Sequence, residues 1–154
     1  MITHRISNSG YGVKGFTQDE IREAIFAVEG IISQGEQVKI EEDHFFSEGL
    51  YTRTIHIPKG TLFTGKLHAR EDLLIIVSGD ITIYTENGEC RVKGFKVMKV
   101  SAGTKPLAFA HEDTIALNVH RNPDNLQDLD LLEEKLIIPN KLGELPQGGI
   151  QWLG

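Results

Sequence analysis

One cysteine, Cys90, is all the sulfhydryl chemistry in 154 residues, so no intrachain disulfide can form and a reducing compartment is expected. The chain also lacks an uninterrupted apolar run of about 20 residues, the length a membrane-spanning helix needs, and nothing in it resembles a signal peptide. These two absences predict a soluble, cytoplasmic protein with no membrane partner. Positive charge is in deficit: 16 Lys and Arg stand against 22 Asp and Glu, a formal net charge of -6. General binding to nucleic acid needs the opposite excess to displace phosphate counterions, and it is not expected here, although a local basic pocket remains compatible with the composition. Several catalytic signatures are missing too. There is no G-x-S-x-G elbow, Walker phosphate loop, dinucleotide fingerprint or H-E-x-x-H pair.

The 40% hydrophobic content is enough for one independent core, since a chain of this size buries about 70% of its unfolded surface. Residues 1–36 read as a polar, glycine-spaced arm followed by an amphipathic helix. Thr17-Gln18-Asp19-Glu20 fits a capping box, and Ile21, Ala24, Ile25, Val28 and Ile32 follow at helical spacing, ending between Gly30 and Gly35. The helix is expected to cover an open end of the remaining structure.

From residue 37 to 121 the pattern changes to short β-like runs: QVKIE, LYTRTIHIP, TLFTGKLH, LLIIVSG, DITIYTE, CRVKG, KVMKVS and TIALNVH. Turn residues separate them, with Asn87-Gly88 suited to a type I′ hairpin. Many short strands joined by tight turns predict a mainly β, jelly-roll barrel rather than a parallel sheet. In residues 122–138, Leu126, Leu129, Leu132 and Leu136 mark a short helix, capped by Asp124 or Asn125. Residues 139–154 form an arm whose Ile150, Trp152 and Leu153 call for burial, on a neighbouring subunit or partner or on the chain's own barrel. The whole is one globular domain.

The densest group of ligand-type side chains lies in PKGTLFTGKLHAREDLLIIVSGD, residues 58–80. Thr64, Lys66, His68, Arg70 and Asp72 share one face while the backbone stays extended. Asn118 and His120 share a face on a later strand, which in a barrel can be the lumen. Ligand binding is therefore placed on Lys66, His68, Arg70, Asp72 and His120. Lys66, His68 and Arg70 could hold a small anion by charge-assisted hydrogen bonds. A divalent metal would use His68 and Asp72, with a third ligand from His120, His111 or His56. A His68-Asp72 base-carboxylate pair is a further, metal-free arrangement, of the kind sugar epimerisation needs.

The same stretch resembles the cupins. Their first motif runs glycine, five residues, H-x-H, three or four residues, glutamate, six residues, glycine. Counting back from Gly79 puts Asp72 at the glutamate position and His68 at the second histidine, with Lys66 where the first histidine would stand. The second motif, P-x-G-x-x-H, resembles SAGTKP, in which Ser101 and Pro106 replace the proline and the histidine. From about Glu48 to Leu136 the chain is similar to small cupin-like proteins of tailed bacteriophages. The resemblance implies a double-stranded β-helix barrel with degenerate metal motifs. In that reading Lys66 and Asp72 form a partly buried ion pair in place of the metal. The expected function is a non-enzymatic accessory, structural or small-ligand-binding protein that assembles as a homo-oligomer or on a phage structural partner through its terminal arms. It requires no cofactor and would act in the host cytoplasm or the virion. The alternative is a metal-dependent isomerase or oxygenase.

Overall fold

The computed structural model describes residues 15–139 and the backbone of 150–152. The expected glycine-spaced arm of residues 1–14, the C-terminal arm at 140–149 and 153–154, and the expected burial of Ile150, Trp152 and Leu153 lie outside the described residues. Among the described residues, twelve strands and two helices are arranged in two antiparallel sheets and a small third one. β1 (Glu41–Ser47), β2 (Gly49–Ile57), β10 (Thr114–Asn122), β5 (Asp72–Ser78), β8 (Lys96–Val100) and β12 (Ile150–Trp152) form the first sheet in that order. β3 (Leu62–Thr64), β9 (Leu107–Ala110), β6 (Asp80–Thr85) and β7 (Gly88–Lys93) form the second. The third pairs β4 (Leu67–His68) with β11 (Ile137–Ile138).

Side chains that alternate along each strand put one face of each sheet inward. Ile57, Ile76, Met98 and Ala116 from the first sheet meet Ile81, Ile83, Val92, Ala108 and Ala110 from the second in one buried core. Burying each of the larger ones contributes about 1.5 to 3 kcal/mol, so this shared interior holds the two sheets face to face. Between β5 and β6, Gly79 turns with φ +110°, and a Cβ there would sit 2.3 Å from Thr114 Oγ1. Only glycine meets both demands.

The opposite mouth of the barrel carries both helices. α1 (Gln18–Ile32) begins with the expected capping box, in which Thr17 Oγ1 accepts from the Glu20 amide and the Glu20 carboxylate accepts from the Thr17 amide. Its buried positions are Arg22 and Ile25, whereas Ala24 faces solvent, so the inward stripe is rotated from the apolar one. α2 (Leu129–Leu136) is capped by Asp128, which accepts from the Asp130 and Leu131 amides; Asp124 and Asn125 precede the cap. Leu132 and Leu136 pack on Tyr51, with Leu126 and Ile137 beside them.

Three strand expectations and one turn expectation need correction. Residues 37–40 are not a strand; the pairing starts at Glu41 and runs on through His44-Phe45-Phe46. TLFTGKLH is broken between Thr64 and Leu67, because the Gly65 peptide bonds elsewhere: its N–H donates to Pro106 O at 3.0 Å and its carbonyl accepts from Lys105 Nζ at 2.9 Å. The β6–β7 loop consists of Glu86 and Asn87, neither with positive φ, so it is not type I′. Its geometry turns the Glu86 side chain inward to Arg22. β9 was not among the runs expected. β12, in the C-terminal arm, pairs with β8 of its own chain, Trp152 opposite Met98.

Candidate metal and acid-base site

Three strands of the first sheet and the short β4 converge at the helix-bearing mouth. There His68, Asp72 and His120 bring their ligand atoms within 4.8 Å of one another. The cluster has an order. His68 Nδ1 lies 2.6 Å from Asp72 Oδ1, and Asn118 Nδ2 donates to Asp72 Oδ2 at 2.8 Å. Both carboxylate oxygens are thus engaged, and the Asp72 side chain is fully buried. A bond on each oxygen fixes the carboxylate plane, which in turn fixes the His68 ring. His68 and His120 meet edge to face at 4.9 Å between ring centroids.

His120 stacks on Tyr51 at 5.8 Å, and Tyr51 stacks on His44 at 6.0 Å, with His44 Nδ1 2.8 Å from the Tyr51 hydroxyl. Burial pushes the His120 imidazole down to about 4, against a smaller upward pull from Asp72. It is neutral at pH 7, the form in which a ring nitrogen coordinates a metal or accepts a proton. Burial likewise raises the Tyr51 hydroxyl and the Cys90 thiol, the direction that disfavours a thiolate.

The residues singled out in the sequence are dispersed differently from the expectation of one shared face. Lys66 does not pair with Asp72: its side chain is 53% exposed and its ammonium pairs with Glu133 on α2. The cause is the chain break at Gly65, after which alternation no longer applies. Arg70 also faces outward, and Thr64 turns to Glu29 on α1. His56 sits by Asp43 and His111 by Thr82, both away from the cluster, so of the three candidate third ligands only His120 joins His68 and Asp72. Pro106 packs against Gly65, where a Cβ would lie 2.6 Å from its Cγ.

Sequence reasoning missed two neighbours. Tyr51 carries no motif, and only its place opposite His120 in the β2–β10 register reveals it. The other is a buried charged group beside the site. Arg22 Nη2 donates to Glu86 Oε1 at 2.5 Å and to Gly103 O at 3.2 Å, while Lys105 pairs with Glu29 and lies 4.9 Å from the Phe26 ring. Gly103, at φ +75°, joins the two groups, since its N–H donates to His68 O at 2.8 Å.

A divalent cation fits this donor set. Two imidazoles and a carboxylate suit Fe(II), Mn(II) or Zn(II), and Asn118 supplies the outer hydrogen bond that such carboxylates usually accept. The 2.6 Å contact between His68 and Asp72 is where a cation would compete with a proton. Access is restricted. β11 pairs with β4 across His68, and the Ala69 amide donates to Leu136 O at 2.7 Å.

No known family profile matches the chain, and no curated protein does. Among solved structures it is similar to salicylate 1,2-dioxygenase from Pseudoaminobacter salicylatoxidans, at 8% identity and a TM-score of 0.53, over 79% of this chain and 36% of that one. It is similar to a double-stranded β-helix protein from Klebsiella pneumoniae, at 14% identity and a TM-score of 0.49, over 60% of this chain and 84% of that one. A cupin-2 domain protein from Shewanella frigidimarina aligns at 8% identity and a TM-score of 0.46, over 62% and 92% of the two chains. At these identities the likeness concerns architecture alone. No described helix is long and apolar enough to cross a membrane. The fold is a single cupin-type double-stranded β-helix barrel, with two helices across one mouth.

Proposed function

We propose that this chain is a metal-binding cupin in which His68, Asp72 and His120 hold one divalent transition metal. The observation that carries the reading is their convergence within 4.8 Å, with His120 kept neutral by burial. A lysine ammonium among these ligands would repel the ion, but Lys66 points to Glu133. When bound, such a metal supplies Lewis-acid or redox chemistry, the basis for an isomerase or oxygenase. The protein's own part is to orient His68 through Asp72 and Asn118 and to exclude water through Tyr51, Leu132 and Leu136.

Elemental analysis of protein purified without an affinity tag and loaded with Fe(II), Mn(II) or Zn(II) tests this. About one equivalent is expected, lost in His68→Ala and His120→Ala and retained in His56→Ala. Equal loading in all three variants, or none in the parent, would sink the reading. Asn118→Ala should weaken binding about 10- to 100-fold without removing a ligand.

A second reading is supported by the cover over the cluster: a non-enzymatic accessory or ligand-binding cupin, of the phage type, that assembles through its arms. There the His68-Asp72-Asn118 chain is a satisfied polar group in the core. Failure to load metal, together with an oligomer that dissociates when residues 143–154 are deleted, would favour it.

A further inference from the structure

A depression of about 210 Å³ lies beside α2, where the chain leaves β10. Its rim carries Arg70, Arg121 and Lys135, and its floor includes Leu132 and Leu136. Asp124 is the single acid of the lining, and it is paired with Lys135. Among the described residues, Arg70 and Arg121 form no ion pair. The lining therefore has a surplus of two positive charges, on a chain whose net charge is -6. Field from two guanidinium groups is strengthened over an apolar floor, where fewer waters screen it. The position is also stable, because Asn122, at its edge, is buried and bonded to both the carbonyl and the amide of Leu126. The volume corresponds to about seven water molecules of liquid, room for more than a monatomic ion.

We propose that this depression is a binding site for a small dianion, a phosphate or a dicarboxylate, gripped by Arg70 and Arg121. Each guanidinium presents a planar fork of donors that matches a two-oxygen face of phosphate or carboxylate, which a lysine does not. This replaces the expectation that Lys66, His68 and Arg70 hold an anion together: of those three only Arg70 is here, and Arg121 is its partner. The site does not depend on metal binding, since none of its lining residues belongs to the His68 cluster.

The experiment is a titration of the full chain with inorganic phosphate and, separately, with succinate. Ionic strength is held constant with chloride, and the readout is calorimetry together with the arginine side-chain NMR signals. Saturable binding with shifts at Arg70 and Arg121 is expected, weakened at least tenfold in Arg121→Ala and abolished in the double variant. Both side chains are exposed, so the variants should keep the parent melting temperature. Arg121→Lys should bind severalfold more weakly than the parent, and unchanged affinity there would overturn the fork. Lys59→Ala, in an exposed pair with Glu112, should bind as the parent does. Tighter binding of one probe tells phosphate from dicarboxylate. No saturable binding of either probe, or parent-like affinity in the double variant, overturns the site.

Discussion

On one side of Gly103 the barrel mouth buries Arg22, Glu86 and Lys105, with Glu29 at the edge; on the other it buries Asp72 and His120, with His68 nearly so. Both groups sit under a helix and meet at one residue: the Gly103 carbonyl accepts from Arg22 and the Gly103 N–H donates to the His68 carbonyl. The α1 group answers charge with charge. Each cation has a carboxylate, Glu86 also accepts from the Lys105 amide at 3.3 Å, and Glu29 from Thr64 Oγ1 at 2.7 Å. The α2 group sets one carboxylate against two imidazoles, one of which is held neutral. Every charge in the α1 network meets an opposite one, although Arg22 Nε lacks a hydrogen-bond partner among the described residues. In the α2 group the carboxylate bonds His68 and Asn118, which leaves His68 Nε2 and the His120 ring for a proton or a metal. The difference teaches that burial alone does not single out a ligand site; whether the buried charges are already matched by opposite ones does.

The sharpest way to break the comparison is to unbalance the closed group. Glu86→Ala strands the Arg22 guanidinium, whose Nε already lacks a partner, in the protein interior. A loss of about 3 to 5 kcal/mol in urea unfolding is expected. Replacing both, as Arg22→Met with Glu86→Leu, should recover most of it. A loss under about 1 kcal/mol for the single change would mean that this end is wetter than its burial indicates, and the contrast would fail.

Next comes pH, which should act on the α2 group. The folded state holds His120 at about 4, whereas the unfolded chain takes up its proton near the ordinary value of 6.5. Between those values the unfolded state binds more protons, so stability falls as pH drops from 6.5 to 4. The full difference is about 3 kcal/mol for the metal-free protein. Other carboxylates titrate in the same range, so the measurement is the difference between parent and His120→Gln curves. Parallel curves would show that His120 is solvated.

How much of this was legible depends on whether the chain stayed regular. His68 and Asp72 were readable from their spacing to Gly79, and Asn118 with His120 from simple alternation on one strand; β10 is an unbroken strand through both. Lys66 was misplaced because alternation was extended across Gly65, where the backbone leaves the sheet to bond Lys105 and Pro106. The charged group was hidden because Glu86 and Lys105 look like solvated turn residues, and their partners are 64 and 76 positions away. The start of β1 at Glu41 is not legible because its side chains are nearly all exposed, which leaves no apolar period to read. β9, four residues with two alanines, is too short and too bland to announce itself.

The α2 cover offers a gentler test. Leu132 is buried against Tyr51, and its truncation should loosen the helix more than the barrel. Leu132→Ala is expected to cost about 2 kcal/mol, seen as hydrogen exchange about 30-fold faster at the Ala69 amide, which is bonded to Leu136 O. Core amides such as that of Ile76 should slow or quicken only with global stability. If both change together, α2 is part of the barrel's single cooperative unit and not a separable cover.

The smallest expected effect decides where Lys66 belongs. Its pair with Glu133 joins two side chains that are each 53% exposed, so Coulomb attraction there is weakened by solvent and opposed by side-chain entropy. Lys66→Ala should therefore change stability by less than about 1 kcal/mol. It should also leave metal affinity where it was, because an ammonium held at α2 by Glu133 does not stand among His68, Asp72 and His120. An ammonium inside that cluster would repel a divalent ion strongly, and its removal would then tighten metal binding by orders of magnitude. A parallel pair of titrations on parent and variant separates the two arrangements: coincident curves keep Lys66 on the outside of the mouth, and a steep gain in the variant would put it back among the ligands.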